Sequence, residues 1–395
     1  MISTGAFLLR AGLVGYAVTA PFSISAATVM LLVAMGGGLL HWLKGADLDV
    51  DAGVGWAVIL YLAVKWITGL AAYDPQKGMQ EFFHLWPWLL VWVMPYSART
   101  GPSRSALNRI LAVSAAVVAV YAVCQNLTGF EIWRDSHLPH VLGRYPALGF
   151  FDNQQTWAGF ALAISLYMAG LAVEETGRAR WLYALSSALS LLGAVASQIR
   201  GTLVGLLAGL AVWLSTPRRA VRVVLWFVGV AAVAFVLSPG TLIRFNELKD
   251  RTLNVAVDIS RPYIWKTAWE IGSKRPLLGA GPGNFEDAYE TTKDRPLART
   301  MGHAHNEWLQ EWATSGAPGV LAFSWLVFAF ARALWRRRRT GGLPALSVWI
   351  GLAAGALLQC HFSDDEVLMA AVFLATLGLR SEPESADTRG EGLVA

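Results

Sequence analysis

The chain contains only two cysteines, Cys124 and Cys360, and both lie in apolar segments. Two isolated cysteines in such surroundings support neither a disulfide framework nor a metal site built from thiolates. Charged residues are also scarce, since they make up 15% of the chain where a soluble domain has about one quarter. This scarcity, together with a hydrophobic content of 55%, excludes an ordinary soluble domain.

Signals for phosphate loops, nucleic-acid binding and secretion are missing too. The chain has no Walker-type glycine loop. Its net charge of +5 is spread over short loops, without a basic face that carries aromatic side chains. Arg10 lies inside the first apolar stretch and no short basic segment precedes it, so we expect no cleaved signal peptide. We also expect no nucleic-acid partner and no cofactor.

Long apolar runs dominate the chain, and at about 16 to 22 residues each is long enough to cross a bilayer as a helix. The 18 tryptophans and 10 tyrosines suit the aromatic belts of membrane interfaces. The pattern predicts an all-α, polytopic membrane protein with about twelve transmembrane helices. The predicted spans are residues 5–21, 23–43, 53–72, 82–96, 107–127, 153–173, 181–197, 199–214, 221–237, 317–335, 343–361 and 365–380.

The short loops differ in their content of basic residues. With both termini in the cytoplasm, the inner loops carry 14 Lys or Arg and the short outer loops carry four, as the positive-inside rule requires. Residues 1–237 then hold helices 1 to 9, and residues 317–380 hold helices 10 to 12. Residues 381–395 are expected to form a disordered cytoplasmic tail.

Residues 238–316 form one long outer loop, which carries ten Lys or Arg and ten Asp or Glu. A loop of this length is functional or has structure of its own, so we expect a periplasmic or extracellular cap that carries catalytic residues. Trp265, Ala268, Trp269 and Gly272 recur at helical spacing, and Pro276 ends the segment. The cap is therefore predicted to be partly helical.

Polar residues gather in four places on the predicted outer face. Arg200 stands between two apolar runs with almost no loop, so it is functional, snorkels to the interface or pairs with a structural carboxylate. Arginine matches phosphate oxygens with a planar fork of donors, so several outward arginines favour a diphosphate on a membrane lipid as the ligand. The four clusters contain Arg144 and Asn153; Ser197 and Arg200; Arg261; and His303, His305 and Asn306.

The paired histidines allow three interpretations. On a helix, His303 and His305 would point about 200° apart, and no H-x-x-x-H or C-x-x-C spacing follows, so a zinc site is disfavoured. A neutral imidazole could instead take a proton from a sugar hydroxyl, and His305 is our candidate for that base. A structural role within the loop is the third option. Glu307 and Glu311 could orient a histidine or solvate the face of a helix that begins here.

Four sequence elements follow one another along the chain. They are Arg144, Gly149, Phe151, Asn153 and Ala158; Ser197, Arg200 and Gly201; Arg261, Trp265, Ala268, Pro276, Gly279, Gly281, Gly283 and Phe285; and His305, Asn306, Leu309, Gly316 and Gly319. In these elements and in its predicted topology, the chain resembles the O-antigen ligase and polymerase superfamily of bacterial envelope glycan enzymes. Asp152 stands where that family often has proline.

The resemblance implies a glycosyltransferase in the bacterial inner membrane, with its active site on the periplasmic side. It implies an O-antigen ligase that moves a glycan from undecaprenyl diphosphate to a sugar hydroxyl of the lipid A core, without a metal and with inversion. His305 would be the base, and Arg200 and Arg261 would stabilise the leaving diphosphate. The expected substrate-binding residues are Arg144, Asn153, Ser197, His303 and Asn306.

Other functions stay open at this point. An O-antigen polymerase and a protein O-oligosaccharyltransferase of the same superfamily share the donor, although one long outer loop instead of two favours the ligase. A membrane transporter is a further alternative, but internal repeats and broken helices at the midplane are not evident.

Overall fold

The chain folds into a bundle of α-helices in a computed structural model. The structure describes residues 3–45, 50–94, 97–134, 136–140, 145–199, 201–216, 219, 221–229, 261–294 and 300–380. The predicted tail 381–395, the start of the predicted cap at 238–260, and the end of the ninth predicted span lie outside the described residues.

The first part of the bundle ends in a short hairpin. Its helices are α1 (Thr4–Thr19), α2 (Ile24–Trp42), α3 (Ala52–Leu70), α4 (Pro75–Phe83), a 3-10 turn (Trp86–Leu89), α5 (Leu90–Val93), α6 (Ser97–Thr100) and α7 (Arg104–Thr128). Strands β1 (Phe130–Glu131) and β2 (Ser136–His137) pair antiparallel, with Phe130 opposite His137.

The second part contains the central helix and the cap. Its helices are α8 (Gln154–Glu174), α9 (Gly177–Ala196), α10 (Gly201–Ala211) with a 3-10 turn (Val212–Ser215), a helix over residues 221–229, α11 (Arg261–Lys274), α12 (Phe285–Thr292), α13 (Glu307–Arg336), α14 (Gly342–Gly355) and α15 (Asp365–Leu379). Helix α8 is buried on nearly every side, which makes it the centre of the bundle.

Six of the described helices are long and apolar enough to cross a membrane: α2, α3, α7, α8, α9 and α13. Residues 4–19, 201–215 and 342–355 form shorter apolar helices. The prediction of an all-α membrane protein is confirmed at this level. The number of twelve spans and the periplasmic position of the long loop stay predictions.

The fourth predicted span, residues 82–96, is not a continuous helix. The chain there is divided between the end of α4, a 3-10 turn and α5. Pro87 lies inside the run, and proline lacks the N–H that a continuous helix requires. Trp88 beside it is fully buried against other rings, so the apolar character of this run serves internal packing.

Helix α13 is broken at Gly316, which has φ 64° and ψ −160°. The break separates a first segment, which begins at Glu307, from a longer apolar segment. It coincides with the predicted start of the tenth span at residue 317. Asn306 begins the helix because its side-chain oxygen accepts a hydrogen bond from Leu309 N at 3.0 Å, as an N-cap does.

Contacts between loops fall at two ends of the bundle. At one end, Arg104 Nη1 donates to Thr340 O at 3.2 Å, and Arg336 lies 3.8 Å from Asp51. At the other end the cap packs on the turn after α3, where Tyr73 N donates to Ala280 O at 2.9 Å. The contacts of the candidate site lie at this second end.

Candidate functional site

His305 occupies an unusual backbone position. Its φ of 51° lies in the left-handed region, which non-glycine residues rarely adopt, and such positions cost about 1–3 kcal/mol unless the surroundings hold them. The surroundings do hold it, because Asn306 Nδ2 donates to Leu357 O at 3.0 Å and Glu307 N donates to Ala356 O at 2.8 Å. The residues that follow α14 thus fix the backbone around His305, just before α13.

The two predicted histidines are in contact. Their ring centroids lie 4.1 Å apart in an edge-to-face arrangement, and His305 N donates to His303 Nδ1 at 3.3 Å. Burial, and then the neighbouring His305, lower the pKa of His303 to about 4. The pKa of His305 is lowered mainly by burial and also by the charge of Arg261, while a hydrogen bond with Gln359 acts in the opposite direction. Both rings are therefore neutral near pH 7.

Arg261 is the first residue of α11, the helix of the cap. Ile264 and Ala268 of this helix are buried in a small core of their own, which orients α11 on the first segment of α13. The guanidinium lies close enough to His305 for its charge to lower the pKa of the imidazole. Two of the three predicted catalytic residues, His305 and Arg261, are thus within range of each other's charge.

Arg200 and Arg144 lie outside the described residues. Gly201, the next residue after Arg200, packs against Gln359, since a Cβ added at Gly201 would be 3.2 Å from Gln359 Cγ. Gln359 in turn lies beside His305, with Gln359 Oε1 at 3.4 Å from His305 Nδ1. The start of α10 therefore adjoins the histidine through a single side chain.

Three predicted substrate-binding residues serve the local fold. Ser197 is buried, and its hydroxyl donates to Ala194 O at 2.6 Å. Asn153 accepts from Gln155 N at 2.7 Å and caps α8. Asn306 caps α13 and binds the 357 carbonyl, as described above. Whether they also contact a substrate stays a prediction.

The two carboxylates that follow the histidines do not solvate a helix face, because Glu307 and Glu311 are both buried. Glu307 accepts hydrogen bonds from Phe362 N at 3.0 Å and from the Ser363 hydroxyl at 2.5 Å. Glu311 forms an ion pair with Lys65. Glu307 therefore ties the start of α13 to the loop before α15, and Glu311 ties it to α3.

The glycines of the cap take conformations that other residues avoid. Gly279, Gly281 and Gly283 have φ of 64°, 99° and 69°. At Gly281 an added Cβ would lie 2.0 Å from Ala72 Cβ, so the cap approaches the turn after α3 too closely for a side chain. These glycines form turns, and they also allow the cap to pack on the bundle.

Sequence reasoning missed two residues at this end of the bundle. Lys65 is an isolated charge inside an apolar run, which is a visible signal of function or of a buried partner. Gln359 carried no local signal, because its importance comes from contacts with residues 54 and 158 positions away. Among the residues that the structure describes, no group of three or more His, Cys, Asp or Glu could hold a metal ion.

The family model of the O-antigen ligases matches residues 185–324. The matched segment includes Ser197, Arg200, Arg261, His303 and His305, and it ends before the loop that carries Gln359. No curated protein matches the chain.

Proposed function

We propose that this chain, whose match at residues 185–324 supports membership of the O-antigen ligase superfamily, is an O-antigen ligase. It moves a glycan from undecaprenyl diphosphate to a sugar hydroxyl of the lipid A core. The reaction takes place at the periplasmic face of the bacterial inner membrane, with both termini in the cytoplasm. Membrane lipid surrounds the apolar helices, and the reaction needs neither a metal nor a cofactor.

The neutral His305 beside the positive charge of Arg261 carries this proposal. A base must be unprotonated at the working pH, and the lowered pKa of His305 meets this condition. A leaving diphosphate must be met by positive charge, and Arg261 supplies it next to the base. A zinc site would need further ligands beside the two histidines, whereas an acid–base role needs the single imidazole.

The transfer is a single displacement. His305 Nε2 takes the proton of the acceptor hydroxyl as the acceptor oxygen forms a bond to the anomeric carbon. The bond from that carbon to the diphosphate oxygen breaks, and its electron pair leaves with undecaprenyl diphosphate. Attack opposite the leaving group inverts the anomeric carbon, by analogy with inverting glycoside hydrolysis.

The arginines bind the donor. Arg261 and Arg200 hold the diphosphate oxygens through bidentate hydrogen bonds and stabilise the charge that develops there. Arg144 is a third phosphate or sugar contact. His303, Asn306, Asn153 and Ser197 shape the binding site for the sugars at its edge, in addition to their structural hydrogen bonds.

The test is a deletion of the gene in its host, complemented with wild type, with His305→Ala or with His137→Ala as the control. His137 is an exposed histidine of the β-hairpin. Envelope glycolipids and the lipid-linked pool are run side by side on a gel. We expect His305→Ala to leave a bare lipid A core and polymer stranded on its carrier, with the protein still in the membrane, whereas His137→Ala restores the wild-type pattern.

Other outcomes would redirect the proposal. A core with a single repeat unit in the deletion strain would indicate a polymerase, and loss of glycan from proteins would indicate a protein O-oligosaccharyltransferase. An unchanged profile would remove the ligase proposal and leave a transporter as the candidate.

A further inference from the structure

Gln359 lies between His305 and Gly201, the first residue of α10. It is outside the matched segment 185–324. Its side chain is buried, with 3% of its surface exposed. On one side its Oε1 faces His305 Nδ1 at 3.4 Å, and on the other side it packs against Gly201. The buried amide therefore stands between the histidine and the start of α10.

The chemistry of this contact determines the tautomer of His305. An amide oxygen can only accept a hydrogen bond, so Nδ1 of the imidazole carries the proton and donates it. A neutral imidazole has one N–H, and therefore Nε2 keeps its lone pair. We infer that Gln359 is the positioning residue of His305, which holds the ring with Nε2 free to take the acceptor proton. This inference rests on the proposed role of His305 as the base.

The surrounding loop supports the same function. The backbone on both sides of Gln359 is held by Asn306 at Leu357 O and by Glu307 at Phe362 N, which keeps residue 359 beside His305. His303 cannot take the place of Gln359 as the acceptor for His305 Nδ1–H through its own Nδ1, because that atom already accepts from His305 N. Gln359 also favours the imidazolium that forms during transfer, since its oxygen still accepts from Nδ1 when the ring is charged.

The titratable and charged groups that face His305 in the described residues are His303, Arg261 and the Cys360 thiol. Arg261 disfavours a charged His305, whereas Gln359 favours it. Gln359→Ala therefore moves the acid limb of kcat/KM to lower pH and lowers kcat about 10- to 100-fold, the range seen when groups that orient metal-binding histidines are removed. Gln359→Glu places a carboxylate on Nδ1 and moves the same limb to higher pH.

The experiment measures transfer by purified enzyme in nanodiscs, from lipid-linked glycan to lipid A core, across pH. The variants are Gln359→Ala, Gln359→Glu and the control Gln80→Ala, an exposed glutamine of α4 that leaves the profile unchanged. Opposite movements of the acid limb support the inference. Equal loss in both variants at every pH, with no movement of the limb, overturns it.

A second measurement is independent of turnover. Histidine labelled with ¹⁵N is observed by NMR in wild-type protein, and the His305 signal is identified by its loss in His305→Ala. A protonated Nδ1 and an unprotonated Nε2 support the inference, whereas the reverse tautomer overturns it. If His305→Ala retains transfer, the proposed function fails, whereas comparison of the His305 tautomer between wild type and Gln359→Ala still decides whether Gln359 sets the ring.

Discussion

Lys65 of α3 and Glu311 of α13 form a buried ion pair, with Lys65 Nζ 3.0 Å from Glu311 Oε1. Their side chains are 7% and 1% exposed, and the Tyr61 hydroxyl donates to the same carboxylate oxygen at 2.8 Å. Glu311 lies six residues after His305 in the chain. The pair therefore anchors the start of α13, which follows the histidine, to a neighbouring helix.

Lys65→Met is expected to destabilise the protein, because it leaves the buried carboxylate of Glu311 without its partner. Breaking a buried pair by removing one member costs about 3–5 kcal/mol. Thermal unfolding in detergent should therefore show a clear fall in Tm, while Lys44→Met, at an exposed lysine, should leave it unchanged. Adding Glu311→Gln to Lys65→Met should recover part of the loss. An unchanged Tm for Lys65→Met would show that the pair does not stabilise the fold.

Gly281→Ala should detach the cap from the turn after α3. The new Cβ would clash with Ala72, and φ of 99° is strained for alanine. We expect faster proteolysis of the cap and loss of transfer. Gly36→Ala is the matched control, because an added Cβ there meets nothing within 4 Å. Equal protease resistance of the two variants would contradict the close contact.

Much of the helical framework follows from the sequence. Predicted spans such as 23–43 and 153–173 coincide with α2 and α8 to within a residue or two, since a capping side chain marks where each helix begins and the apolar length indicates where it ends. The prediction of a single helix over residues 82–96 was wrong. Hydropathy measures apolar content, and it does not distinguish a lipid-facing helix from buried rings around Pro87.

The candidate residues of the site could be proposed from the sequence, but their arrangement could not. The chemistry of His305 and Arg261 could be proposed from their types and positions on the outer loop. Their proximity could not, because it depends on how α11 packs on α13. Gln359 shows the limit most clearly, since glutamine near the end of an apolar run has no pattern of its own, and only the folded contacts reveal its partner.

Arg261→Lys should reduce transfer severely and leave the fold intact. A lysine keeps the charge but offers a single ammonium, which cannot replace a bidentate fork on a diphosphate. Arg200→Lys is expected to behave in the same way. Initial rates with lipid-linked donor should fall by at least about tenfold, the equivalent of one lost charge-assisted hydrogen bond. Wild-type rates for Arg200→Lys would favour a snorkelling role for that residue.

Chelators should not reduce the activity of the purified enzyme. In the proposed reaction, arginines stabilise the charge on the leaving diphosphate. His303 and His305 contact each other, and His305 also faces Gln359. Transfer is measured before and after treatment with EDTA and with a zinc-selective chelator. A loss that zinc restores would revive the metal interpretation of the paired histidines.

Transfer should persist into mildly acidic conditions, because the enzyme stays active as long as the His305 imidazole is unprotonated. Its pKa is lowered from the ordinary value of 6.5, so the midpoint of the acid limb of kcat/KM should lie below pH 6.5. Stability changes in the same direction. Between pH 6.5 and about 4, unfolded His303 binds a proton that the folded ring does not, so the free energy of unfolding falls as pH falls through this window. An acid limb centred above pH 7 would mean that His305 is not a buried neutral base.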